Sequence, residues 1–189
     1  MARPRSEDKR QAILLAAIRL FAEEGLNAPT ARIARTAGVA EGTLFTYFAS
    51  KDELLNQLYL ELKGQLRAAM EPAPPRAGLK EQVRQAWLTY VAWGVAHPQE
   101  RQVLAKLGMS DRISETTRTQ GFQAFCDVSR LLEAGMAKGV LRDQAPAFVG
   151  ALMAAMADTT MDFINRGPAA AEATREAGFA AFWNAISGG

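Results

Sequence analysis

Residues 30–51 constrain the fold of this chain more than any other stretch. Their apolar spacing predicts two short helices around a glycine turn, followed by the start of a third helix. We expect the Thr30 hydroxyl to cap the first helix and Gly38 to end it in the left-handed conformation. On a 3.6-residue repeat, Leu44 and Phe48 share the inner face of the second helix. Two short helices held at an angle can place one of them in a DNA major groove, although a plain corner of a helical protein would use the same residues.

Beyond this stretch the apolar residues keep a helical period, which predicts an all-α fold of about nine helices and no strand. Residues 71–78 are rich in proline and end in glycine, so we expect a linker there. Ser50 and Glu53 have the spacing of a capping box, which predicts that a helix begins at Lys51. Besides the two short helices, we predict helices over residues 7–24, 51–70, 79–96, 99–108, 110–138, 146–166 and 168–186.

Composition argues against several classes of site. A single cysteine, Cys126, excludes an intrachain disulfide and a cysteine-based zinc cluster, and it suits a reducing, cytoplasmic setting. The single histidine, His97, and the lack of a glycine-rich phosphate loop lead us to predict no catalytic residue, metal or cofactor. No apolar run reaches the roughly 20 residues of a membrane span, and the first residues are too polar for a signal peptide. We therefore expect no membrane partner.

Charge is distributed unevenly along the chain. Residues 1–51 hold eight Lys or Arg against five Asp or Glu, whereas the remainder holds fourteen against fifteen. This places the attraction for phosphate at the N-terminal end, although a solvated surface can show the same imbalance.

Residues 20–55 contain an ordered series of short motifs. The series is Leu20-Phe21-Ala22-Glu23-Glu24-Gly25-Leu26, Thr30, Ile33-Ala34, Ala37-Gly38-Val39, Gly42-Thr43-Leu44-Phe45, Tyr47-Phe48 and Ser50-Lys51-Asp52-Glu53-Leu54-Leu55. Through this series the chain resembles the TetR-type bacterial transcriptional regulators over about residues 8–57. The resemblance implies a helix-turn-helix DNA-binding domain at residues 1–51, with its motif at about 29–48, and a ligand-sensing and dimerisation domain at residues 52–189. It also implies a homodimer that binds double-stranded operator DNA and responds to a small-molecule effector.

Nine residues of the predicted DNA-binding domain are predicted to face DNA. Gly42 allows close approach to the duplex, Thr43 helps to read bases, and Tyr47 and Lys51 bind phosphates. Ala40, Phe45 and Ala49 differ from the residues usual in the family, so the resemblance does not predict the sequence of the DNA target. The full set is Thr30, Arg32, Glu41, Gly42, Thr43, Phe45, Thr46, Tyr47 and Lys51.

The second domain offers candidates for a ligand pocket and for a dimer interface. Aromatic residues with flexible methionines can line an adaptable apolar cavity, and small residues allow helices to approach closely. Core packing within one chain is the alternative explanation for both sets. The pocket candidates are Trp87, Tyr90, Trp93, Phe122, Phe125, Cys126, Met153 and Met156, and the interface candidates are Phe148, Leu152, Phe179, Phe182 and Trp183.

Together these features predict a ligand-responsive, sequence-specific DNA-binding regulator, a repressor that a small apolar or amphipathic molecule releases from its operator. A ligand-independent helical DNA-binding regulator is the nearest alternative. A small all-α enzyme and an interaction protein are alternatives from other classes. No candidate catalytic site in the sequence supports an enzyme. An interaction protein would not explain why the Gly-Thr-x-x-Thr-Tyr sequence at residues 42–47 lies close to the basic residues at the start of the chain.

Overall fold

The structure, a computed structural model, describes residues 6–70, 78–123 and 125–188, except for the side chains of Cys126 and Asp127. Within these ranges the chain forms ten α-helices and one 3-10 turn, so the predicted all-α class is confirmed. Most of the predicted linker at residues 71–78 lies outside the described residues. The helices are α1 (Glu7–Glu24), α2 (Thr30–Thr36), α3 (Glu41–Tyr47), α4 (Lys51–Ala69), α5 (Leu79–Ala96), α6 (Pro98–Gly108), α7 (Glu115–Gln123), α8 (Cys126–Ala137), α9 (Pro146–Arg166) and α10 (Ala171–Ile186), with the 3-10 turn at Pro168–Ala170.

The prediction of one long helix over residues 110–138 is wrong, because the chain forms a loop and then two helices, α7 and α8. The Ser114 hydroxyl accepts a hydrogen bond from the backbone N–H of Thr117 and so caps the start of α7. The Arg118 guanidinium donates to the carbonyl oxygens of Gly108 and Ser110, which secures the loop before α7. These contacts stop α7 from extending back toward residue 110, and the helix count rises from about nine to ten in the described part of the chain.

Residues 1–64 and 98–122 form one compact unit, called the first unit below. Helix α1 packs against α2 and α6, and α2 packs against α3. Lys106 on α6 donates to the carbonyl oxygens of Phe21 and Ala22, both at 2.9 Å. These carbonyls lie in the last turn of α1, where a cation is favoured by the helix dipole. Packing therefore joins α6 to the N-terminal helices. The domain boundary predicted after residue 51 separates a DNA-binding domain from a ligand-sensing domain. Packing does not test this functional division, so it stays a prediction.

Residues 65–97 and 123–189 form the second unit, in which α9 packs against α5 and α10. Trp87 is fully buried and stacks on Phe182, with ring centroids 5.5 Å apart. The indole N–H of Trp87 donates to the carbonyl oxygen of Arg175 at 3.2 Å, so the polar atom of this core residue is satisfied. Phe179 and Phe182, predicted for a dimer interface, are only 4% and 1% exposed. For these two residues the prediction is wrong, because their rings fill the core of their own chain.

Helix α9 has the length and the apolar composition of a membrane-spanning helix, although only 28% of its most apolar window is buried. We expected no such stretch from the sequence, because charged and polar residues interrupt the apolar run. The core helix of a soluble protein meets the same criteria. Phe148 and Phe163 on α9 are 56% and 58% exposed, so one side of this helix presents apolar area to the surroundings.

Candidate DNA-binding surface

Helices α2 and α3 meet at the predicted glycine turn. Gly38 adopts a positive φ of 69°, the conformation that favours glycine. The backbone N–H of Val39 donates to the Ala34 carbonyl oxygen at 3.0 Å and closes the corner. Leu44 and Phe48 are fully buried, as their spacing predicts, so the opposite side of α3 faces outward. The local sequence therefore builds a corner with one helix presented to solvent.

Thr30 does not cap α2, contrary to the prediction. It is the first residue of that helix, Pro29 stands at the cap position, and no side chain caps the helix. The Thr30 hydroxyl instead donates to the Glu41 carboxylate at 2.8 Å, which joins the first residues of α2 and α3. Glu41, a member of the predicted DNA-facing set, thus has a partner within the motif. Their roles in DNA contact stay predictions.

Two further side chains of the predicted set also have partners within the chain. The Arg32 guanidinium pairs with the carboxylate of Glu24 at 2.9 Å. The Thr46 hydroxyl donates to the Gly42 carbonyl oxygen of its own helix at 3.0 Å. Both residues are exposed, so their contacts can be exchanged for contacts to a ligand at small cost.

Gly42, Thr43 and Phe45 present the outer side of α3. A Cβ atom added at Gly42 would meet no atom within 4 Å, so the helix surface is open at this position. The Thr43 side chain is half-buried, whereas the Phe45 ring is 42% exposed. A bare backbone next to a small hydroxyl and an apolar ring is a surface suited to close apolar and polar contact with base edges.

Tyr47 connects α3 to the start of α1. Its phenolic oxygen accepts a hydrogen bond from the backbone N–H of Ser6 at 2.9 Å. A phenolic hydroxyl both donates and accepts, so the Tyr47 proton remains available for a phosphate oxygen. The ring is therefore fixed in place while its donor function is kept.

Lys51 opens α4 next to the predicted capping box. The Ser50 hydroxyl accepts from the Glu53 N–H at 3.1 Å, as that motif requires. The Glu53 carboxylate accepts from the N–H of Ala49 at 2.7 Å, one residue earlier than in the standard motif. Burial lowers the pKa of Lys51 below its usual value, the nearby Arg112 guanidinium lowers it further, and Asp52 opposes both effects.

Arg112 lies next to this turn but is not among the predicted site residues. The guanidinium Nε of Arg112 donates to the Asp52 carboxylate at 2.6 Å. The two residues are separated by 60 positions, and no local spacing relates them. Only a prediction of how the loop before α7 packs would have brought them together.

The predicted pocket residues that the structure describes lie in different surroundings. Trp87 lies in the core, Tyr90, Met153 and Met156 are partly buried against it, and Phe122 is half exposed in the first unit. Phe125 is half-buried, and the side chain of Cys126 lies outside the described residues. A cleft of about 430 Å³ does occur in the second unit, and Trp93 is its one predicted member. Its lining residues are Ala69, Gln85, Leu88, Thr89, Ala92, Trp93, His97, Glu172 and Arg175.

Among the described residues, no group of three or more His, Cys, Asp or Glu side chains is placed to hold a metal ion.

Comparison with known proteins adds a consistent set of similarities. The family model for bacterial regulatory proteins of the tetR family matches residues 13–58. The crystal structure of a TetR-family transcription regulator from Shewanella sp. PV-4 is 31% identical, with a TM-score of 0.85 over 97% of this chain and 99% of that chain. The transcriptional repressor NicS of Pseudomonas putida is 30% identical over 71% of this chain, and the match spans 66% of NicS, just under two thirds. A TetR-family regulator from Marinobacter aquaeolei, 20% identical, shares the fold over 97% of each chain with a TM-score of 0.84.

Proposed function

The chain belongs to the TetR family of bacterial regulatory proteins, and we propose that it is a repressor that leaves its operator when a small amphipathic molecule binds its second unit. As a member of that family it is a transcriptional regulator with a helix-turn-helix DNA-binding motif, and it is not an enzyme. The proposal concerns the direction of regulation and the response to a ligand. Support for repression comes from the similarity to NicS, which is named as a repressor.

The observation that carries the response to a ligand is the cleft in the second unit. Its volume of about 430 Å³ lies within the range of roughly 300–1,000 Å³ that small-molecule sites occupy. Leu88, Ala92 and Trp93 supply apolar area, whereas Thr89 and the ion pair of Arg175 with Glu172 supply polar groups. A molecule with one apolar and one polar end matches such a lining. The Trp93 ring, 5.7 Å from that of His97, offers an aromatic wall.

We propose a homodimer formed by the exposed sides of α9 and α10. On α9, exposed residues recur every three to four positions at Phe148, Ala151, Ala155, Thr159 and Phe163, which is one side of a helix. On α10 the exposed positions include Ala173, Ala177, Ala180 and Ala181, whose small side chains allow another helix to come close. Two helices from each chain would then pack together as a four-helix interface. Phe148, Leu152 and Trp183 remain its predicted members, and a dimer would present two motifs to successive major grooves, roughly 34 Å apart.

We propose that α4 carries the switch between the two states. Its residues 51–64 belong to the first unit and its residues 65–69 to the second, so one continuous helix serves both. A ligand shifts the equilibrium between two conformations only by its difference in affinity for them. An inducer must therefore bind the DNA-free conformation more tightly, by about 1.4 kcal/mol for each tenfold reduction in operator affinity.

Reciprocal titrations test the proposal. Gel shifts with genomic fragments first identify an operator, and the amphipathic dye anilinonaphthalene sulfonate then serves as a probe of the cleft. Coupling is reciprocal, so if the dye releases the operator, the operator must weaken the dye by the same factor. The dye affinity is measured by its own fluorescence, with and without the operator.

The control is Leu88→Arg, which places a bulky cation on the apolar side of the cleft and should abolish dye binding while operator binding stays. Equal dye affinities in the two titrations, repeated with a panel of amphipathic molecules, would instead support a ligand-independent regulator. Failure to find any bound genomic fragment would contradict sequence-specific binding to an operator.

A further inference from the structure

The loop between α6 and α7, residues 109–114, lies on the first two turns of α4 within the first unit. The Asn56 amide nitrogen on α4 donates to the carbonyl oxygen of Arg112 at 2.9 Å. The Asn56 amide oxygen accepts from the backbone N–H of Ser114 at 2.9 Å. One side-chain amide thus pairs with a donor and an acceptor of the loop backbone. These two hydrogen bonds fix the position of residues 112–114 relative to α4.

The loop is also held from its other side. Arg118 on α7 donates to two carbonyl oxygens at the start of the loop, those of Gly108 and Ser110, each at 2.6 Å. Ile113 inserts its side chain into the interior, where it is 3% exposed. A loop with a buried anchor and hydrogen bonds at both ends holds one conformation, so the placement of Arg112 is a property of the fold.

The Arg112 side chain extends from this loop to the first turn of α4. Its Nε and Nη2 atoms both approach one carboxylate oxygen of Asp52, each at 2.6 Å. Asp52 directly follows Lys51, and the Arg112 charge is close enough to lower the pKa of the Lys51 amine. Two cations, Lys51 and Arg112, thus lie near the start of α4, where the carboxylates of Asp52 and Glu53 balance their charge.

Part of the Arg112 guanidinium has no partner among the residues that the structure describes. Among the described residues, no hydrogen-bond partner is found for its Nη1 atom, and 30% of the side chain is exposed. An arginine offers five N–H donors in a planar fork that suits phosphate oxygens. The ion pair with Asp52 orients the fork without consuming it.

We propose that Arg112 is a DNA-phosphate-binding residue, contributed by the α6–α7 loop from outside the helix-turn-helix motif and acting beside Lys51. Asn56 is its positioning residue, since it fixes the loop without contacting DNA. A phosphate beside the two cations relieves their mutual repulsion, which is a reason for the fold to bring them together. The proposal needs DNA binding, and it holds whether or not the protein is a repressor or responds to a ligand.

The test uses the salt dependence of binding, because each phosphate contact adds about one to the slope of log K against log salt. The variant Arg112→Gln keeps a long side chain with an N–H donor for Asp52 but removes the charge. With a short duplex of arbitrary sequence, we expect its slope to be smaller than that of the parent by about one. The variant Arg112→Lys keeps the charge and should retain the parent slope.

The matched variant Asp52→Asn separates this role from a purely structural ion pair. If Arg112 binds phosphate, removal of the Asp52 charge leaves binding unchanged or tighter, with no loss of slope. If Arg112 serves only to hold Asp52, then Arg112→Gln and Asp52→Asn weaken binding alike and neither changes the slope. A parent slope in Arg112→Gln, in protein shown to be folded by its thermal unfolding, overturns the proposal.

Discussion

Several side chains on α2 and α3 that are predicted to face DNA have hydrogen-bond partners within the chain. Thr30 bonds to Glu41, and Thr46 bonds to the backbone of its own helix. Such exposed contacts contribute little to stability, because water and salt screen them. Their effect is to order the side chains, which reduces the entropy lost when a duplex binds. At this scale the surface is a set of small, replaceable contacts around a bare backbone position, Gly42.

That bare position gives a prediction in which stability and binding move in opposite directions. The variant Gly42→Ala should raise the free energy of unfolding by about 0.4–1 kcal/mol, because alanine loses less backbone freedom on folding than glycine does. The same methyl group should weaken DNA binding, since it occupies the open space beside the duplex. Thermal unfolding and gel shift measure the two effects. The control is Gly64→Ala on α4, where an added Cβ also meets nothing within 4 Å, and which should stabilise the protein without changing DNA affinity.

A second residue gives a prediction for pH. Burial lowers the pKa of Lys63 below its usual value of 10.5, and its amine lies 5.7 Å from the centre of the Tyr59 ring. Between the lowered pKa and 10.5 the unfolded chain binds more protons at Lys63 than the folded chain does, so this residue makes stability rise with pH across that window.

The variant Lys63→Met removes the free-energy cost of burying the charged amine and keeps the length of the side chain. It should be more stable than the parent near neutral pH, and the difference should shrink as the pH rises through the window. Urea unfolding of both proteins at several pH values checks the sign. Burial raises the pKa of Tyr59, which acts in the opposite direction in both proteins, so the difference between them isolates Lys63. A difference that stays constant or grows with pH would contradict the assignment.

At the scale of helices, the sequence predicted well what is decided locally. Helices α1, α5 and α9 begin and end where the apolar period and the flanking Gly, Pro and Ser residues indicate. The break between α7 and the loop before it was missed, because it depends on Arg118 and on the Ser114 cap rather than on a strong breaker residue. Arg112 was missing from the predicted site for the same reason, because its contact with Asp52 depends on how the loop before α7 packs. The core role of Phe182 was missed because helical spacing identifies an apolar face but not its partner.

The contact between α9 and α10 gives a prediction at this scale. Gly178 lies where α10 meets the other helices, and a Cβ added there would come within 2.8 Å of the Trp87 ring and would also collide with the Thr160 hydroxyl. Trp87 is fully buried and stacked, so it cannot move aside freely. The variant Gly178→Ala should therefore lower the free energy of unfolding by about 1–3 kcal/mol, measured in urea. The Gly64→Ala protein is again the control, and equal stability of the two variants would show that the helices separate easily.

At the scale of the whole molecule, the exposed apolar side of α9 is the feature that most requires a partner. Phe148 and Phe163 lie more than half exposed at either end of a helix with the composition of a protein interior. Exposed apolar area of this kind marks an interface in soluble regulators. Membership of the TetR family makes a second copy of the chain the natural partner, and the two DNA-binding motifs would then act as a pair.

A charge on this side should separate the pair. The variant Phe163→Glu should be monomeric at micromolar concentration by light scattering and should bind its operator poorly, because one motif alone makes half of the contacts. The matched control is Val140→Glu, which also replaces an exposed apolar residue but lies in the segment between α8 and α9. A parent protein that is monomeric and still binds its operator with full affinity would contradict the dimer.

The discontinuity of the first unit has a consequence for exchanging parts between regulators. A graft that transfers only residues 1–64 to another sensor leaves Lys106 behind, and with it the cation that caps α1. It also leaves behind the loop backbone that pairs with Asn56. The portable piece is two segments of chain, so a chimera must carry residues 98–122 together with the motif to inherit its recognition surface intact.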